Sequence, residues 1–413
     1  MFDINGDSVV TVADMTIGFM PRRCIRVKDN SVATFNGMIW NACTRNKEGT
    51  ALTLEDNGTA TVNDSVFINN DAQGDDGVVH AKQNTNGLTI NNTLFEANHA
   101  GTGGAISFVA NTSALSIDGC TFTGNLSNAA GGAVDFVPGQ VAATLTVTNS
   151  TFLGNVAAGN GGAIHGISGT TVQISDSVFE LNLAASGAAV SLANVSSEGL
   201  RNTFCANSAI ASGGGLHLDN VDVGGTFGWA ANLFVQNRSV SGGGLYAIDS
   251  TLVLTNNDFV GNGATADGAG LYVTTSNLDF VNNIVANVTA NNGLHTVGLL
   301  GGNRDYNNWY LNVATHLAGD LIQPGDFGLN DQIDVDPRFV AFSADGDCSN
   351  DDFHLGLGSP LIDGGDPTIL DLDGSLSDIG AYGGPHGTGS VDTDGDGVPD
   401  NLDVCPGFDD NVD

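Results

Sequence analysis

One short pattern of residues recurs through most of the chain and restricts the folds that it can adopt. An aromatic residue is followed three positions later by asparagine, as in Phe152 and Asn155, and after a linker by a glycine pair and a branched apolar residue, as in residues 161–164. Successive copies start 25 to 30 residues apart, and the branched residue comes 11 or 12 positions after its aromatic residue. The copies begin at Phe67, Phe95, Phe122, Phe152, Phe179, Phe204, Phe234, Phe259 and Ile284. This pattern predicts a rigid repeating unit with linkers of variable length.

Alternating apolar residues precede each aromatic residue, such as Leu145 and Val147, which is the period-two pattern of a short strand. Two strands and two turns in one repeat cannot close a core alone, so neighbouring repeats must stack. A leucine-rich repeat needs an LxxLxL frame and a propeller about 40 residues per blade, and neither is present. We predict an all-β fold, a right-handed parallel β-helix of about nine to eleven coils rising about 4.8 Å each, with small calcium-binding segments at its ends.

In such a cylinder the recurring residues have structural roles. Each Phe is expected to stack on the Phe of the next coil, which contributes roughly 1.5–3 kcal/mol through burial. The asparagines are expected to pair their amides along the axis while tolerating a left-handed backbone. The glycine pair lets the backbone bend where a Cβ atom would clash. We therefore predict that none of these residues is catalytic.

The formal net charge of −35 comes almost entirely from Asp. So acidic a surface argues against nucleic acid and anionic membranes as partners and suits a secreted protein or calcium binding. Glu and Lys are scarce, so long helices are not expected. Six of the 11 basic residues lie in one N-terminal segment that we place outside the repeat array, namely Arg22, Arg23, Arg26, Lys28, Arg45 and Lys47.

The six cysteines show neither a CxxC motif nor the Cys/His spacing of a zinc site. Cys24 and Cys43 form a candidate disulfide pair. No segment is apolar over the length of a membrane span, and residues 1–3 lack the basic and apolar regions of a signal peptide. We expect an extracellular or bacterial cell-surface protein whose natural N-terminus lies upstream.

The two repeated elements also carry a family resemblance. Phe-x-x-Asn followed by Gly-Gly-Ala-Ile/Leu/Val resembles the repeats of the chlamydial polymorphic outer membrane proteins and related bacterial β-helix surface proteins, over residues 60–295. The resemblance implies an extracellular β-helix with an adhesive or surface role. Residues 336–339, 353–367 and 378–385 resemble the closing segment that often precedes a surface anchor, and we expect them to cap the open end of the cylinder.

The N-terminus places oxygen donors at the spacing of a calcium loop and resembles a dockerin-type half EF-hand. The expected ligands are Asp3, Asn5, Asp7, the Val9 carbonyl, Thr11 and Asp14. A short helix is expected over residues 13–20. The alternative is a turn rich in Asx residues without metal.

The C-terminal tail has carboxylates at alternate positions with an intervening glycine, and it resembles a thrombospondin type 3 repeat. The expected Ca²⁺ ligands are Asp392, Asp394, Asp396, Val398, Asp400 and Asp403. The repeat breaks off at Asp413, so we expect a longer chain that carries an anchor. The predicted segments are a calcium loop with a helix at 1–20, an N-terminal cap or irregular first coils at 21–59, the β-helix at 60–300, final coils and a cap at 301–388, and the calcium tail at 389–413.

One position in each repeat is a candidate for function, the residue after the branched apolar one. It is expected to face solvent and is occupied by His80, Ser107, Asp135, His165, Ser191, His217, Tyr246, Tyr272 and His295. The last four would span roughly 14 Å, enough for two or three sugar units. We predict a ligand-binding strip for a polysaccharide or a cell-surface glycoprotein; the alternative is that rings simply stack well on a sheet face.

The rival class is an enzyme, a Ca²⁺-dependent polysaccharide lyase or a glycoside hydrolase of the β-helix type. Within the predicted coils the basic residues are Lys82, Arg201 and Arg238. The candidate carboxylates, which turns also explain, are Asp219, Asp222, Asp249 and Asp279. With no catalytic residue assigned, we predict a non-enzymatic structural or adhesive protein.

Overall fold

The chain forms a parallel β-solenoid. The computed structural model describes residues 2–19, 23–45, 50–74, 76–82, 85–109, 113–139, 143–223, 228–321 and 326–388. These residues are all-β, make about 11 turns and contain no α-helix. The predicted fold class is therefore confirmed. Each full turn contributes strands in the order A, B, C, D to four sheets, in which equivalent strands of successive turns pair in parallel.

The strands have the following bounds. Sheet A contains β1 (Phe2–Ile4), β4 (Ile25–Val27), β8 (Leu52–Leu54), β12 (Val79–Lys82), β16 (Ile106–Val109), β20 (Val134–Val137), β24 (Ile164–Ile167), β28 (Val190–Ala193), β32 (Leu216–Asp219), β36 (Leu245–Ile248), β40 (Leu271–Thr274), β43 (Leu294–Val297) and β46 (Leu317–Gly319). Sheet B contains β2 (Val9–Ala13), β5 (Val32–Asn36), β9 (Thr59–Asn63), β13 (Gly87–Asn91), β17 (Leu115–Asp118), β21 (Thr144–Thr148), β25 (Thr171–Ser175), β29 (Ser196–Leu200), β33 (Trp229–Ala230), β37 (Thr251–Thr255), β41 (Asn277–Val281) and β44 (Arg304–Asp305).

Sheet C contains β3 (Thr16–Gly18), β6 (Ile39–Asn41), β10 (Val66–Ile68), β14 (Leu94–Glu96), β18 (Thr121–Thr123), β22 (Thr151–Leu153), β26 (Val178–Glu180), β30 (Thr203–Cys205), β34 (Leu233–Val235), β38 (Asp258–Val260), β42 (Ile284–Ala286), β45 (Asn308–Tyr310) and β47 (Gln332–Ile333). Sheet D contains β7 (Thr44–Arg45), β11 (Asp71–Ala72), β15 (His99–Ala100), β19 (Leu126–Ser127), β23 (Val156–Ala157), β27 (Leu183–Ser186), β31 (Ser208–Ser212), β35 (Arg238–Ser241) and β39 (Gly263–Asp267). An antiparallel pair, β48 (Phe339–Ala341) with β49 (Asp352–Leu355), and a 3₁₀ turn at Cys348–Asn350 complete the described structure.

The repeated Phe residues stack inside the cylinder, as predicted. From Phe67 to Phe204, consecutive ring centroids lie 4.6 to 5.1 Å apart and the rings are nearly parallel. The last predicted copy is shifted by one residue, because Val285 and not Ile284 pairs with Phe259. Ile284 therefore points outward from the cylinder.

Two polar ladders flank this stack, and one of them was predicted. From Asn70 to Asn237 the side chain of each repeat Asn is buried and bonds to the next Asn, as in the 3.1 Å bond from Asn155 Nδ2 to Asn182 Oδ1, whereas the predicted last member, Asn287, lies outside the ladder. The second ladder lies two residues before each aromatic position, at the corner between sheets B and C. Its members are Ser65, Thr93, Cys120, Ser150, Ser177, Asn202, Asn232, Asn257, Asn283, Asn307 and Asp331. The sequence shows residues of this kind at a fixed offset, but a second ladder was not predicted from them.

The glycine pairs have the structural role predicted for them. Gly161 has a φ of +70°, and a Cβ atom at Gly162 would lie 2.2 Å from the Ala188 carbonyl oxygen. A larger side chain therefore fits neither position.

The N-terminal prediction requires correction, because strands of the solenoid are already present from Phe2 and not only from residue 60. β1, β2 and β3 form the first turn and pair in register with β4, β5 and β6. The helix expected over residues 13–20 is wrong, since β2 extends to Ala13 and β3 covers Thr16–Gly18. The described residues in 25–45 and 50–54 include the regular strands β4 to β8.

The C-terminal segment does not cap the cylinder as predicted. Residues 335–387, here called the strap, fold back along the outer face of sheet C. Phe353 packs on Val235 and Val260, and Leu361 and Ile379 pack on Ile284. The C-terminal end of the core is covered instead by the segment around Leu321 and Phe327, where Phe327 meets Trp309 edge to face at 6.1 Å.

Two disulfides are present among the described residues. Cys24 pairs with Cys43, as predicted, and Cys205 on β30 pairs with Cys348 in the strap. Cys120 is a buried free thiol in the second polar ladder. In the described part of the chain, no helix has the length and apolar composition needed to cross a membrane.

Candidate functional site

The predicted stripe occupies a single column on the outer face of sheet A. Strand pairing places its members in register from β12 to β43: His80, Ser107, Asp135, His165, Ser191, His217, Tyr246, Tyr272 and His295. The column continues toward the N-terminus through Thr53, Arg26 and Asp3. These three positions were not found from the sequence, because their segment lacks the Phe-x-x-Asn element.

Four rings at the C-terminal end of the column form a continuous stack, here called the ring column. Centroid distances are 5.0 Å from His217 to Tyr246, 5.2 Å from Tyr246 to Tyr272 and 5.0 Å from Tyr272 to His295. Both faces of each tyrosine are therefore occupied by neighbouring rings. A sugar cannot stack on them and would instead meet ring edges and hydroxyl groups.

The ring column is half-buried, because the ends of sheet D strands border it. Ser212, the last residue of β31, shares a 2.9 Å hydrogen bond with His217 Nδ1. Asp267, the last residue of β39, lies 3.3 Å from His295 Nδ1. Burial lowers the pKa of His217. Burial raises the pKa of Tyr246, and the carboxylates of Asp219 and Asp249 add to that shift.

The middle of the stripe is buried, which corrects the expectation that every member faces solvent. Asp135 and His165 form a 2.7 Å contact with side chains only 6% and 13% exposed. Ser107 and Ser191 are also buried. Strand pairing places Asp135 directly beside His165, so the two side chains cover each other.

Of the four carboxylates considered for an enzyme, Asp222 and Asp249 line one open pocket, whereas Asp219 and Asp279 do not line it. Asp219 ends β32, and Asp249 follows β36 in a left-handed conformation. Asp222 bridges neighbouring turns through its backbone, and Asp279 accepts a hydrogen bond from the Asn303 amide. Among the basic residues, Arg201 is paired with Asp176 at 2.6 Å, and Arg238 is on β35 of sheet D.

A group of charges near the first turns was not found from the sequence. Glu55, 9% exposed, lies 3.0 Å from Arg26, 3.2 Å from Lys82 and 3.7 Å from Arg23. Arg26 also meets Asp3 at 2.7 Å, and those contacts raise the pKa of Arg26. The group lies on sheet A, at the other end of the column from the rings.

Of the two predicted calcium segments, only the N-terminal one lies within the described residues. At the N-terminus, Asp3 is bonded to Arg26 and Asp7 accepts a hydrogen bond from Asn30. Val9 and Thr11 lie on extended β2, while Asn5 and Asp14 occupy the corners on either side. Within the described ranges, no three His, Cys, Asp or Glu residues are grouped to hold a metal ion. The tail ligands from Asp392 to Asp403 lie outside the described residues, so calcium binding stays a prediction at both segments.

Comparison with known proteins supports the fold. A family model described as a right-handed β-helix region matches residues 2–179. The match covers the N-terminal part of the chain, and the parallel register of the four sheets continues the same all-β solenoid through the later turns. The match begins at Phe2, in the first described strand, and so agrees with the corrected N-terminal boundary. No curated protein and no solved structure gave a significant match.

Proposed function

We propose that this is a secreted or cell-surface structural protein that binds a polysaccharide, or the glycan of a surface glycoprotein, along the ring column. The supporting observation is the in-register stack of His217, Tyr246, Tyr272 and His295 on four consecutive strands. Repeated binding groups about 4.8 Å apart suit a ligand that is itself an extended repeat. Ring edges, two phenol groups and two imidazoles supply hydrogen-bond donors and acceptors.

The charge of the protein limits the class of glycan. Asp219, Asp249 and Asp267 lie close to the rings, and the whole chain carries −35. A polyanionic glycan would meet repulsion along this face. The preferred ligand is therefore a neutral glycan or one that contains amino sugars.

Two disulfides support a location outside the cytosol, since such bonds persist in oxidising compartments. A Ca²⁺-binding tail of the thrombospondin type would stiffen the connection from the β-helix to an anchor. Surface attachment and an adhesive role are part of the same proposal.

The test compares glycan binding by the natural chain and by hydroxyl-deleted variants. Tyr246→Phe with Tyr272→Phe retains the stack and removes both phenol oxygens, and we expect at least about tenfold weaker binding on a panel of neutral and amino-sugar glycans. Tyr310→Phe on sheet C is the matched control. Binding that the double variant leaves unchanged would refute the ring column as the site.

The second candidate, a polysaccharide lyase or hydrolase, is favoured by the group around Glu55. Arg23, Arg26 and Lys82 place three positive charges around the buried Glu55 carboxylate, and these charges would attract a uronate carboxylate. Lys82 also supplies a basic side chain for proton abstraction. A uronide lyase would generate an unsaturated product that absorbs in the ultraviolet. Its appearance, with and without Ca²⁺, and its loss in Lys82→Ala would establish this activity in place of binding alone.

A further inference from the structure

A cleft follows the corner between sheets A and B over four successive turns, from the corner before β25 to the corner before β37. It encloses about 530 Å³, which lies in the range of small-molecule sites. The residues that give the cleft its polar character are Thr170, Asn194, Asn220, Asp222, Asp249 and Thr251.

The cleft lies beside an interruption of sheet B. Asp222 bridges to Ser196 of the preceding turn, and the next pairing joins Trp229 to Gly199. Asp222 and Trp229 are seven positions apart in the sequence, whereas Ser196 and Gly199 are three apart. Four extra residues therefore leave the sheet at this point. Insertions of this kind in a repeat array are often found on its binding face.

The polar groups of the cleft are largely available to a ligand. Asp222 is exposed, and its carboxylate forms neither a hydrogen bond nor an ion pair with any residue that the structure describes. Asn220 Nδ2 donates to Asn194 Oδ1 at 2.8 Å, so the other polar atom of each amide is not used in that bond. Asp249 accepts a hydrogen bond from Thr275 Oγ1 and keeps its second carboxylate oxygen. These groups can therefore bind a solute that has several hydrogen-bonding groups.

Thr170 provides an independent indication of a ligand. It lines the cleft and is only 3% exposed, yet its Oγ1 has no hydrogen-bond partner among the described residues. The hydroxyl groups at the equivalent position of later turns are paired: Ser250 Oγ accepts from the Val221 amide at 3.0 Å, and Ser276 Oγ accepts from the Ser250 amide at 2.9 Å. An unpaired buried hydroxyl is unfavourable, and a ligand in the cleft could pair it.

The charge of the cleft limits the class of ligand. Asp222 and Asp249 are both acidic, and none of the described residues that line the cleft is Lys, Arg or His. Two carboxylates without a cation repel an anion and attract an ammonium group. Amides and hydroxyls supply the partners that sugar hydroxyls require. A sugar with an unsubstituted amino group combines both kinds of group.

The cleft adjoins the ring column. Asp249 follows Tyr246 by three residues, so their Cα atoms are at most about 10 Å apart. The charge of Asp249 also contributes to the raised pKa of Tyr246. A short glycan can therefore contact the ring column and the cleft at the same time.

We propose that the cleft binds a sugar that carries a free amino group, whose ammonium interacts with Asp222 and Asp249. Together with the ring column, it gives the protein a preference for glycans with free amines over their N-acetylated forms. This second part rests on the proposed function of the ring column, whereas binding of a single amino sugar in the cleft does not.

The experiment measures monosaccharide binding by isothermal calorimetry in a mildly acidic buffer, in which the amine is protonated and Asp carboxylates remain ionised. We expect glucosamine to bind at least about tenfold more tightly than N-acetylglucosamine. Asp222→Asn with Asp249→Asn should abolish that difference, and Asn tolerates the left-handed conformation of Asp249. The matched control, Asp29→Asn with Asp56→Asn, removes two carboxylates from the same corner in earlier turns and should retain it.

Two results would overturn the cleft as a site. One is equal affinity of the natural chain for the two monosaccharides. The other is a preference for glucosamine that the cleft variant retains, or that the control variant loses equally, since the charge of the whole chain would then cause it.

Oligosaccharides separate this proposal from that of the ring column. A glucosamine oligomer is expected to bind at least about tenfold more tightly than the N-acetylated oligomer of equal length. Tyr246→Phe with Tyr272→Phe should weaken binding of both oligomers and leave glucosamine binding unchanged. If glucosamine binds in the cleft while neither oligomer responds to the tyrosine substitutions, the ring column fails as the glycan site and the cleft is upheld.

Discussion

Asn155 shows how much one side chain contributes to this fold. Its amide donates to the Phe122 carbonyl at 2.9 Å and to Asn182 Oδ1 at 3.1 Å. Its oxygen accepts from the backbone and the side chain of Asn125 at 3.0 and 2.9 Å. All four bonds are made in a site without solvent, so each one lost leaves a buried polar group unpaired.

We expect Asn155→Ala to lower the free energy of unfolding by about 2–4 kcal/mol, because several buried partners lose their hydrogen bonds at once. Urea denaturation followed by far-UV circular dichroism measures the loss. Asn160→Ala, which changes an exposed asparagine five residues away, is the control and should cost under about 0.5 kcal/mol. Equal losses in the two variants would mean that the ladder does not stabilise the cylinder.

At the scale of single residues, much of the interior of the cylinder was predictable from the sequence. Phe152, Asn155 and Gly161 recur at fixed intervals, so their roles followed from the repeat. Ile284 was misplaced by one position because Val285, which occupies the interior, is equally apolar. The burial of Asp135 and His165 was not predicted, since it depends on their contact between neighbouring turns and not on alternation along one strand.

The strap is the element that sequence reasoning placed incorrectly. A segment that follows a repeat array is naturally expected at the end of the array, and nothing in its own composition contradicts that. A partial signal was in sheet C: its outward residues are apolar at Val235, Val260 and Ile284 beneath the strap, whereas the middle turns mix Thr121 and Thr151 with Leu153 and Val178. Such an apolar outer face requires a cover.

The strap brings carboxyl groups into contact with this face. Asp258 is fully buried beneath it and accepts a hydrogen bond from the Ala381 amide, and burial raises its pKa well above the ordinary value. Burial raises the pKa of Asp378 to about 7, and the charges of Asp371 and Asp363 add to that shift. A carboxyl group with a raised pKa favours the docked strap only while it is protonated.

We therefore expect the docked strap to be most stable in acid. The contribution of Asp378 is complete below its ordinary pKa of 3.8 and is lost as the pH rises through about 7. Hydrogen exchange over residues 361–384, corrected for the intrinsic effect of pH, should show less protection at pH 8 than at pH 5. Asp378→Asn should reduce that difference, and amides near Asn155 serve as an internal control. A strap equally protected at both pH values would contradict the prediction.

The whole molecule combines a regular cylinder with segments of different character at its ends. Its architecture was predictable because every turn repeats the same sequence pattern, so that a residue misassigned in one turn does not change the predicted fold. The ends were less predictable. The aspartates of residues 3–14 match a calcium loop in spacing, yet Asp3 lies on β1, and Asp7 and Asp14 lie at the corners of a turn whose strands pair with those of the next turn.

We expect the chain to bind Ca²⁺ through its tail. Isothermal calorimetry of the full chain should show binding that Asp394→Asn with Asp396→Asn abolishes, because these carboxylates supply alternate ligands of the loop. Asp3→Asn with Asp7→Asn tests the N-terminal segment separately. Binding that the tail variant leaves intact would refute the thrombospondin-type assignment.

The disulfide between Cys205 and Cys348 spans 143 residues of sequence, and it determines how the molecule responds to tension. A solenoid pulled from its C-terminus would otherwise peel apart one turn at a time, since only one row of strand pairs resists at each step. Here a load applied beyond the strap passes through the covalent bond directly to β30. The turns between β30 and the strap are thereby shielded from the force, and the turns that precede β30 carry it.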